Sequence, residues 1–183
     1  MTATGIMEAT LMSPSTEGDA GAFAAFFEQT RRKAYVFALH LVENREEAMD
    51  ITQEAYLRLH ARWGRHERHV PATAWLYKVI RNLAIDHLRR RARRPEAEVD
   101  HATLRSPLAG PEATAEQREV AARLWEAIGD LPTEQREILL LRDWHGLDYA
   151  QIADLLGLSM GTVSSRLHHA REKVRERMRR FLG

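Results

Sequence analysis

With 183 residues the chain is long enough for one medium-sized domain or two small ones, and its lack of cysteine excludes disulfide bonds and thiolate metal sites. No apolar run reaches the roughly 20 residues of a membrane span and the amino terminus lacks a signal-peptide pattern, so we expect a cytoplasmic protein without membrane insertion. The net charge of +1 hides two basic zones, residues 21–94 and the last 25 residues, on either side of an acidic stretch at residues 95–120, which suggests two contacts with a polyanion.

The first half of the chain predicts a small helical domain. The first 20 residues are rich in Thr, Ser, Gly and Ala and show no hydrophobic period, so we expect a flexible segment there. Helical spacing of apolar residues begins at Phe23, a second helix is predicted through about His60, and a third begins at about Ala72. We predict that these helices form a domain over residues 21–95.

The second predicted helix has a polar face that does not suit DNA. Ile51, Ala55 and Leu59 share one side of this helix and are expected to pack inward. Another side is acidic and amide-bearing with one exposed leucine, which favours the docking of a protein, whereas a merely solvated face is the alternative. The residues of this side, called the docking face below, are Asp50, Gln53, Glu54, Leu57 and Arg58.

The third predicted helix lies within WLYKVIRNLAIDHLRRRARR, residues 75–94, and joins an apolar stripe to a cationic end. The apolar half would anchor a helix whose arginines bind phosphates, whereas a solvated basic tail is the alternative. Asp86 could form an ion pair with Arg89 or Arg90. The basic loop at residues 65–69 would complete a cradle for extruded bases. The aromatic side chains that could stack on such bases are Trp63, Trp75 and Tyr77, of which Trp75 fits the core better.

A linker and a second helical domain are predicted for the remainder of the chain. Pro95, Pro107 and Pro111 interrupt a stretch with few large apolar residues, so we expect a flexible linker over residues 96–117. Helical spacing resumes at about Ala115 and continues to the carboxy terminus, with breaks typical of short helices. The predicted fold is therefore all-α, with two small helical domains, the second over residues 118–183.

The stretch DYAQIADLLGLSMGTVSSRLHHAREKV, residues 148–174, is the most specific local pattern. Asp148 and Gln151 have the spacing of a capping box, and Gly157 supplies a turn that accepts positive φ. Val163 returns to the core ten residues after Ala153. This spacing is typical of a helix-turn-helix, with an ordinary helical hairpin as the alternative.

The second helix of this motif presents small hydroxyl residues and histidines near its amino terminus. Such residues suit contact with base edges or phosphates in a major groove, and Arg166 and Arg171 could flank them against the DNA backbone. No metal site is expected at the two histidines, because neighbouring residues on a helix diverge by about 100° and the sequence suggests no third ligand. The outward set, called the recognition face below, is Thr162, Ser164, Ser165, His168 and His169.

Three stretches together resemble the extracytoplasmic-function sigma factors of bacterial RNA polymerase: DITQEAYLRL, PATAWLYKVIRNLAIDHLRRRARR, and LPTEQREILLLRDWHGLDYAQIADLLGLSMGTVSSRLHHAREKVRERM. The resemblance covers about residues 23–95 and 118–180, in the order and spacing of the family. It implies a dissociable transcription-initiation subunit without catalytic residues, cofactor or metal. It also implies core RNA polymerase and promoter DNA as partners, and an anti-sigma factor that covers both DNA-reading domains and in some members lies at the membrane.

The resemblance assigns a role to each candidate surface. The docking face would bind the clamp coiled coil of the largest polymerase subunit, and the polymerase flap region is a further expected contact. The first domain would read and melt the −10 element through Arg65, His66, Arg68, His69, Asn82, Arg89, Arg90 and Arg93. The second would read the −35 element through Thr162, Ser164, Ser165, Arg166, His168, His169 and Arg171. Family members often carry basic residues where this chain has Ser164 and His169, so weaker or partly pH-sensitive −35 contacts are expected.

Two other functions remain open at this point. A stand-alone helix-turn-helix regulator that binds duplex DNA would explain residues 148–174, but it would leave the docking face and the arginine-rich helix end without a role. An enzyme acting on nucleic acid, such as a nuclease, is conceivable because Asp50 and Glu54 are capable of binding a metal, although one helical pair of carboxylates is weak support.

Overall fold

The computed structural model describes residues 15–63, 71–93 and 113–182, and within these ranges the chain is helical with no strand. The predicted all-α fold is confirmed. The first domain consists of α1 (Ser15–Val42), α2 (Arg45–Arg62) and α3 (Ala72–Ala92). The second consists of α4 (Ala115–Gly129), α5 (Thr133–Leu139), α6 (Tyr149–Leu156) and α7 (Met160–Leu182), with a π-helical segment, Leu140–Trp144, that continues α5.

Two boundaries differ from those predicted. Helix α1 begins at Ser15, so the predicted flexible amino-terminal segment is wrong for its last six residues. Residues 15–20 contain no proline, which allows the helix to continue back from the apolar spacing that begins at Phe23. Helix α4 begins at Ala115, where the helical spacing was predicted to resume, although the predicted linker extended to residue 117. Thr114 and Gln117 form a capping box that satisfies backbone N–H groups at the start of this helix. Residues 1–14 and 94–112 lie outside the described ranges.

The core of the first domain explains why its three helices pack together. Phe37 of α1, Leu59 of α2, and Leu76 and Ile80 of α3 are completely buried. Full burial of an aliphatic or aromatic side chain of this size contributes about 1.5–3 kcal/mol relative to leaving it exposed. Ile51, Ala55 and Leu59 all face this core, as the helical spacing predicted. The opposite side of α2 is therefore left facing outward.

The second domain contains the predicted helix-turn-helix in α6 and α7. Asp148 Oδ1 accepts a hydrogen bond from the Gln151 backbone N–H at 2.8 Å, and Gln151 Oε1 accepts one from the Asp148 N–H at 2.9 Å. Gly157 ends α6 with φ of +66°. Ser159 Oγ then accepts from the Thr162 N–H at 3.1 Å at the start of α7. These predicted capping and turn positions are confirmed, and they fix the angle at which α7 leaves the turn.

The two domains pack directly against each other, which the sequence did not predict. Helix α1 contacts α5, and α3 contacts α6. Arg136 of α5 donates to the His40 carbonyl at 3.2 Å and to Glu43 Oε1 at 3.0 Å, both in the first domain. Arg81 of α3 donates to Glu137 Oε1 of α5 at 2.6 Å. Buried apolar side chains of both domains form one continuous cluster.

The capping box of α6 can be tested by substitution. Asp148→Ala removes the acceptor for the Gln151 N–H, and we expect the free energy of unfolding to fall by about 1 kcal/mol in urea denaturation. Asp148→Asn keeps a side-chain oxygen in the same place and should retain most of the stability. An equal loss in both variants would show that the carboxylate charge, rather than the cap, stabilises this helix.

Candidate nucleic-acid interface

Helix α3 ends in an exposed cluster of arginines. Arg89, Arg90 and Arg93 are exposed, and Asn82 is exposed about two turns earlier. Arg90 Nε donates to the backbone carbonyl of Asp86 at 3.2 Å. The spacing suggested an ion pair with the carboxylate of Asp86 instead. Cations near a helix carboxy terminus interact favourably with the helix dipole, which lets α3 concentrate positive charge at its end.

One arginine of this run is turned toward the protein. Arg91 Nη1 donates to Glu47 Oε2 at 3.1 Å and to the Val42 carbonyl at 3.3 Å. His87 Nε2 lies 3.0 Å from the other carboxylate oxygen of Glu47. These contacts tie the end of α3 to the corner between α1 and α2. Arg91 therefore holds the cationic end in place, while its neighbours in the sequence face outward.

The aromatic side chains considered for base stacking lie in different environments. Tyr77 is 1% exposed and contacts Phe37 with ring centroids 5.2 Å apart, so the expectation that it stacks on bases is wrong. Trp63 is partly buried, with its ring centroid 5.1 Å from that of Phe23. Trp75 packs against the core but remains half-buried, and the Arg62 guanidinium lies 5.5 Å from its ring centroid. Tyr77 differs because it lies on the side of α3 that the other helices cover.

Part of the predicted cradle cannot be placed relative to α3. Arg65, His66, Arg68 and His69 lie outside the described residues. Their contact with single-stranded DNA therefore stays a prediction from the sequence.

The docking face of α2 is exposed as a unit. Asp50, Gln53 and Leu57 are exposed, and Leu57 retains 60% of its accessible surface despite being apolar. Arg58 Nε donates to Glu54 Oε1 at 2.7 Å, so two of the three charged members of the face pair with each other. An exposed leucine beside a self-neutralised ion pair is a surface with little net charge, which suits a protein partner better than a nucleic acid.

An apolar groove of about 890 Å³ runs between α1 and α2 beside this face. Gln53 and Leu57 line its α2 wall together with Met49, which is 61% exposed. Phe27 and Tyr35 belong to its α1 wall. We did not predict Met49 from the sequence, although Met49, Gln53 and Leu57 follow one another at four-residue intervals on one helix face. Grooves lined by exposed apolar side chains are typical of contacts with a partner helix.

The recognition face of α7 has the predicted orientation. Ser164, Ser165, His168 and His169 are exposed, and Thr162 is partly exposed. Val163 and Leu167 are completely buried on the opposite side. Ser165 Oγ donates to the Thr162 carbonyl at 3.1 Å, and the rings of the two histidines lie 5.6 Å apart between centroids. The first three turns of α7 thus present hydroxyl and imidazole groups together on one outward surface.

Arg166 and Arg171, predicted to flank the recognition face, are engaged in ion pairs within the second domain. Arg166 Nη1 lies 2.8 Å from Glu134 Oε2. Arg171 donates through Nε and Nη2 to both carboxylate oxygens of Asp143, at 3.0 and 2.5 Å, and these bonds raise the pKa of the guanidinium above its ordinary value. Each arginine braces α7 against a neighbouring element. A guanidinium has five N–H donors, so it can keep such a pair and still donate to a phosphate.

Comparison with known proteins identifies relatives over most of the chain. The family model of sigma-70 region 2 matches residues 26–94, and that of sigma-70 region 4 matches residues 121–174. The chain is 34% identical over 168 residues to the ECF RNA polymerase sigma factor SigE of Mycolicibacterium smegmatis, covering 87% of this chain and 63% of that relative. It is 31% identical over 175 residues to the ECF RNA polymerase sigma factor SigM of Mycobacterium tuberculosis (strain Erdman), covering 96% and 84%.

A solved structure shares the fold. The sigma factor RpoE from Bartonella quintana, determined in complex with the anti-sigma factor NepR, has a TM-score of 0.70 and 21% sequence identity, with 86% of this chain and 97% of that chain covered. In the described part of this chain, none of the helices is long and apolar enough to cross a membrane.

Proposed function

This chain belongs to the extracytoplasmic-function sigma factors of bacterial RNA polymerase, and we propose how its surfaces divide the work of promoter recognition. It is an alternative sigma factor that acts in promoter recognition and transcription initiation. The observation that carries this conclusion is the presence of both sigma-70 region 2 and sigma-70 region 4 in one chain, in that order. The core polymerase and promoter DNA are its partners.

We propose that the α1–α3 domain reads the −10 element and opens it. Asn82 would contact an extruded base, with the loop at residues 65–69, and Arg89, Arg90 and Arg93 would bind the strand backbone. The Glu47–Arg91 ion pair supports this assignment, because it holds the arginine cluster in a fixed direction. Extruding a base costs a few kcal/mol, which the pocket and the phosphate contacts must offset.

The docking face is assigned to core polymerase. Asp50, Gln53, Glu54, Leu57 and Arg58 would bind the clamp coiled coil, and the groove beside them extends the apolar part of that contact to Met49. The exposure of both apolar side chains in the described structure supports the assignment. The flap region of the polymerase is the proposed partner of the second domain.

The recognition face is assigned to the −35 element. Thr162, Ser164, Ser165, His168 and His169 would contact base edges or phosphates as α7 enters the major groove. Arg166 and Arg171 would donate to phosphates from the ion pairs that brace the helix. Most of the salt dependence of DNA binding would come from the arginines, because guanidinium groups neutralise phosphates.

We infer further that the protein has no catalytic site, cofactor or metal of its own, since binding energy drives strand separation in this proposal. It would act in the bacterial cytoplasm, or be held at the membrane by an anti-sigma factor. Such a partner is known for the Bartonella quintana protein of the same fold, and we propose one for this chain.

Size-exclusion chromatography with sigma-free core RNA polymerase tests the function without knowledge of the promoter. We expect a one-to-one complex that another sigma factor displaces. If well-folded protein formed no complex but bound a specific duplex tightly, the chain would act as a stand-alone helix-turn-helix regulator instead.

The docking face is tested by Leu57→Ala combined with Asp50→Ala. Truncating a central apolar side chain of an interface commonly costs more than about 1 kcal/mol, so we expect the dissociation constant for core polymerase to rise roughly tenfold or more. Circular dichroism should show unchanged helix content. Met160→Ala removes a similarly exposed apolar side chain, 59% against 60%, from the second domain and should leave the affinity unchanged. Unchanged affinity of the double variant would remove the docking assignment.

The recognition face is tested by Ser165→Ala combined with His168→Ala, in holoenzyme competition between promoters with an intact and a scrambled −35 element. A base-specific contact contributes about 1–3 kcal/mol of discrimination, so we expect the preference for the intact element to fall about tenfold or more while core binding is unchanged. Lys173, an exposed cation on the same helix, is expected to contact phosphates only, so Lys173→Ala should weaken binding to both promoters equally. A loss of core binding in the double variant would show that the face is wrongly assigned.

A further inference from the structure

The contact between the two domains contains one histidine from each domain, and each packs on aromatic rings of the other. His40 of α1 is 3% exposed and stacks on Trp125 of α4, with ring centroids 4.9 Å apart and 20° between the planes. His145, which follows the π-helical segment, lies 4.0 Å from Tyr77 and 5.3 Å from Phe37 between ring centroids. The burial of both imidazole rings therefore depends on the packing of the domains.

Neither imidazole is in a setting that favours a proton. Both ring nitrogens of His145 and Nδ1 of His40 are buried with no hydrogen-bond partner in the described part of the chain. Burial, with the nearby Arg136 cation, lowers the pKa of His40 to about 3. Burial, with Lys33 and His40 nearby, lowers the pKa of His145 well below its ordinary value. Both rings are neutral when the domains are packed.

The charged groups around the two rings come from three elements. Helix α1 contributes Lys33, whose Nζ lies 5.8 Å from the Trp144 ring centroid, and Glu43, which pairs with Arg136 of α5. Helix α5 also contributes Glu137, paired with Arg81 of α3. The Arg136 cation thus faces a proton placed on His40, the Lys33 cation faces one placed on His145, and the acidic neighbours are already paired. Tyr77, the titratable group of α3 in contact with His145, stays neutral because burial raises its pKa.

The same contact places acidic side chains of the second domain on the helix assigned to the −10 element. Asp154 Oδ2 of α6 lies 3.2 Å from Lys78 Nζ, and Glu137 of α5 binds Arg81. Lys78 lies about one turn before Asn82 on α3, and Arg81 lies directly before Asn82. Carboxylates in this position neutralise cations that would otherwise attract the phosphates of a DNA strand, and they repel the strand itself.

We propose that the packed arrangement is a closed state of the polymerase-free protein that cannot engage the −10 element, and that protonation of His40 and His145 opens it. The DNA part of this proposal rests on the proposed function, whereas the proton-driven opening does not. Residues 94–112 join the domains, and a chain of that length can span as much as roughly 60 Å when extended.

The direction of the pH effect follows from the two pKa shifts. An exposed histidine has a pKa of about 6.5, so the open state takes up protons below that pH while the closed state does not. The closed state is therefore stable above about pH 6.5 and weakens as the pH falls. Between about pH 7.5 and 5.5 each histidine raises the ratio of open to closed molecules about tenfold, which gives up to about 100-fold for the pair. Burial also raises the pKa of Glu137, which acts in the opposite direction to the two histidines.

The absence of cysteine allows two dyes to be attached at chosen positions. Glu46→Cys on α2 and Arg179→Cys on α7 place them on exposed sites of different domains. Single-molecule energy transfer should show mostly closed molecules at about pH 7.5, and an open fraction more than tenfold higher at about pH 5.5 with unchanged far-ultraviolet circular dichroism. A pH-independent or undetectable open fraction, or a parallel loss of helix, would overturn the proposal.

Substituting the two histidines tests whether they cause the pH-dependent opening. His40→Leu and His145→Leu keep apolar bulk but cannot be protonated, so each should reduce the pH response about tenfold and the double variant should abolish it. His60→Leu on α2, outside the domain contact, should retain the full response. A double variant that still opened with acid, or an equal effect of His60→Leu, would overturn the proposal.

The DNA part is tested with the same dyes in the complex with core polymerase and promoter. Low energy transfer at about pH 7.5 is expected there, and a closed arrangement in the open promoter complex would overturn the claim that the closed state excludes the −10 element. Failure to form any polymerase complex would count against the proposed function, while the pH response of the free protein would still decide whether the histidines open the closed state.

Discussion

The geometry of the first domain depends on the contacts of Glu47 with the end of α3. Its carboxylate receives Arg91 and contacts His87, both from the last turns of α3, at the corner where α2 begins. Removing one member of a partly buried ion pair leaves the others desolvated and uncompensated. Because this corner fixes where α3 ends, it also fixes the direction in which Arg89, Arg90 and Arg93 project. A sequence run of arginines thus divides into one structural residue and several outward ones.

A charged side chain, Arg136, also holds the second domain against the first. Arg136 is only 6% exposed and bonds to the chain at the end of α1. A buried guanidinium is costly unless its donors find acceptors. The two acceptors of Arg136 Nη1 lie in the first domain, so these bonds require a definite arrangement of the two domains. The polar contacts therefore specify how the domains meet, while the shared apolar cluster supplies most of the favourable burial.

The features that the sequence predicted well are local. Asp148, Gln151 and Gly157 act through bonds and dihedral angles within a few residues, and the outward orientation of the docking face of α2 follows from helical period alone. The domain contact escaped prediction because it joins residues far apart in the chain, such as Arg136 and Glu43, whose pairing no period reveals. Tyr77 was misjudged for the same reason, since the rings that cover it, Phe37 of α1 and His145 of the second domain, are both distant in the sequence. The roles of the DNA-reading side chains stay predictions.

The π-helical segment Leu140–Trp144 has a consequence for how this family can diverge. Its wider turn is closed by a hydrogen bond from the His145 N–H to the Leu140 carbonyl, one residue beyond the α-helical partner. Removing one residue there would restore α-helical register and rotate the downstream residues by about 100°. Asp143 would then turn away from Arg171, and His145 would turn away from Tyr77. Loss of a single codon at this point could therefore detach the two domains from one another, and relatives could differ in this contact through one gap in an alignment.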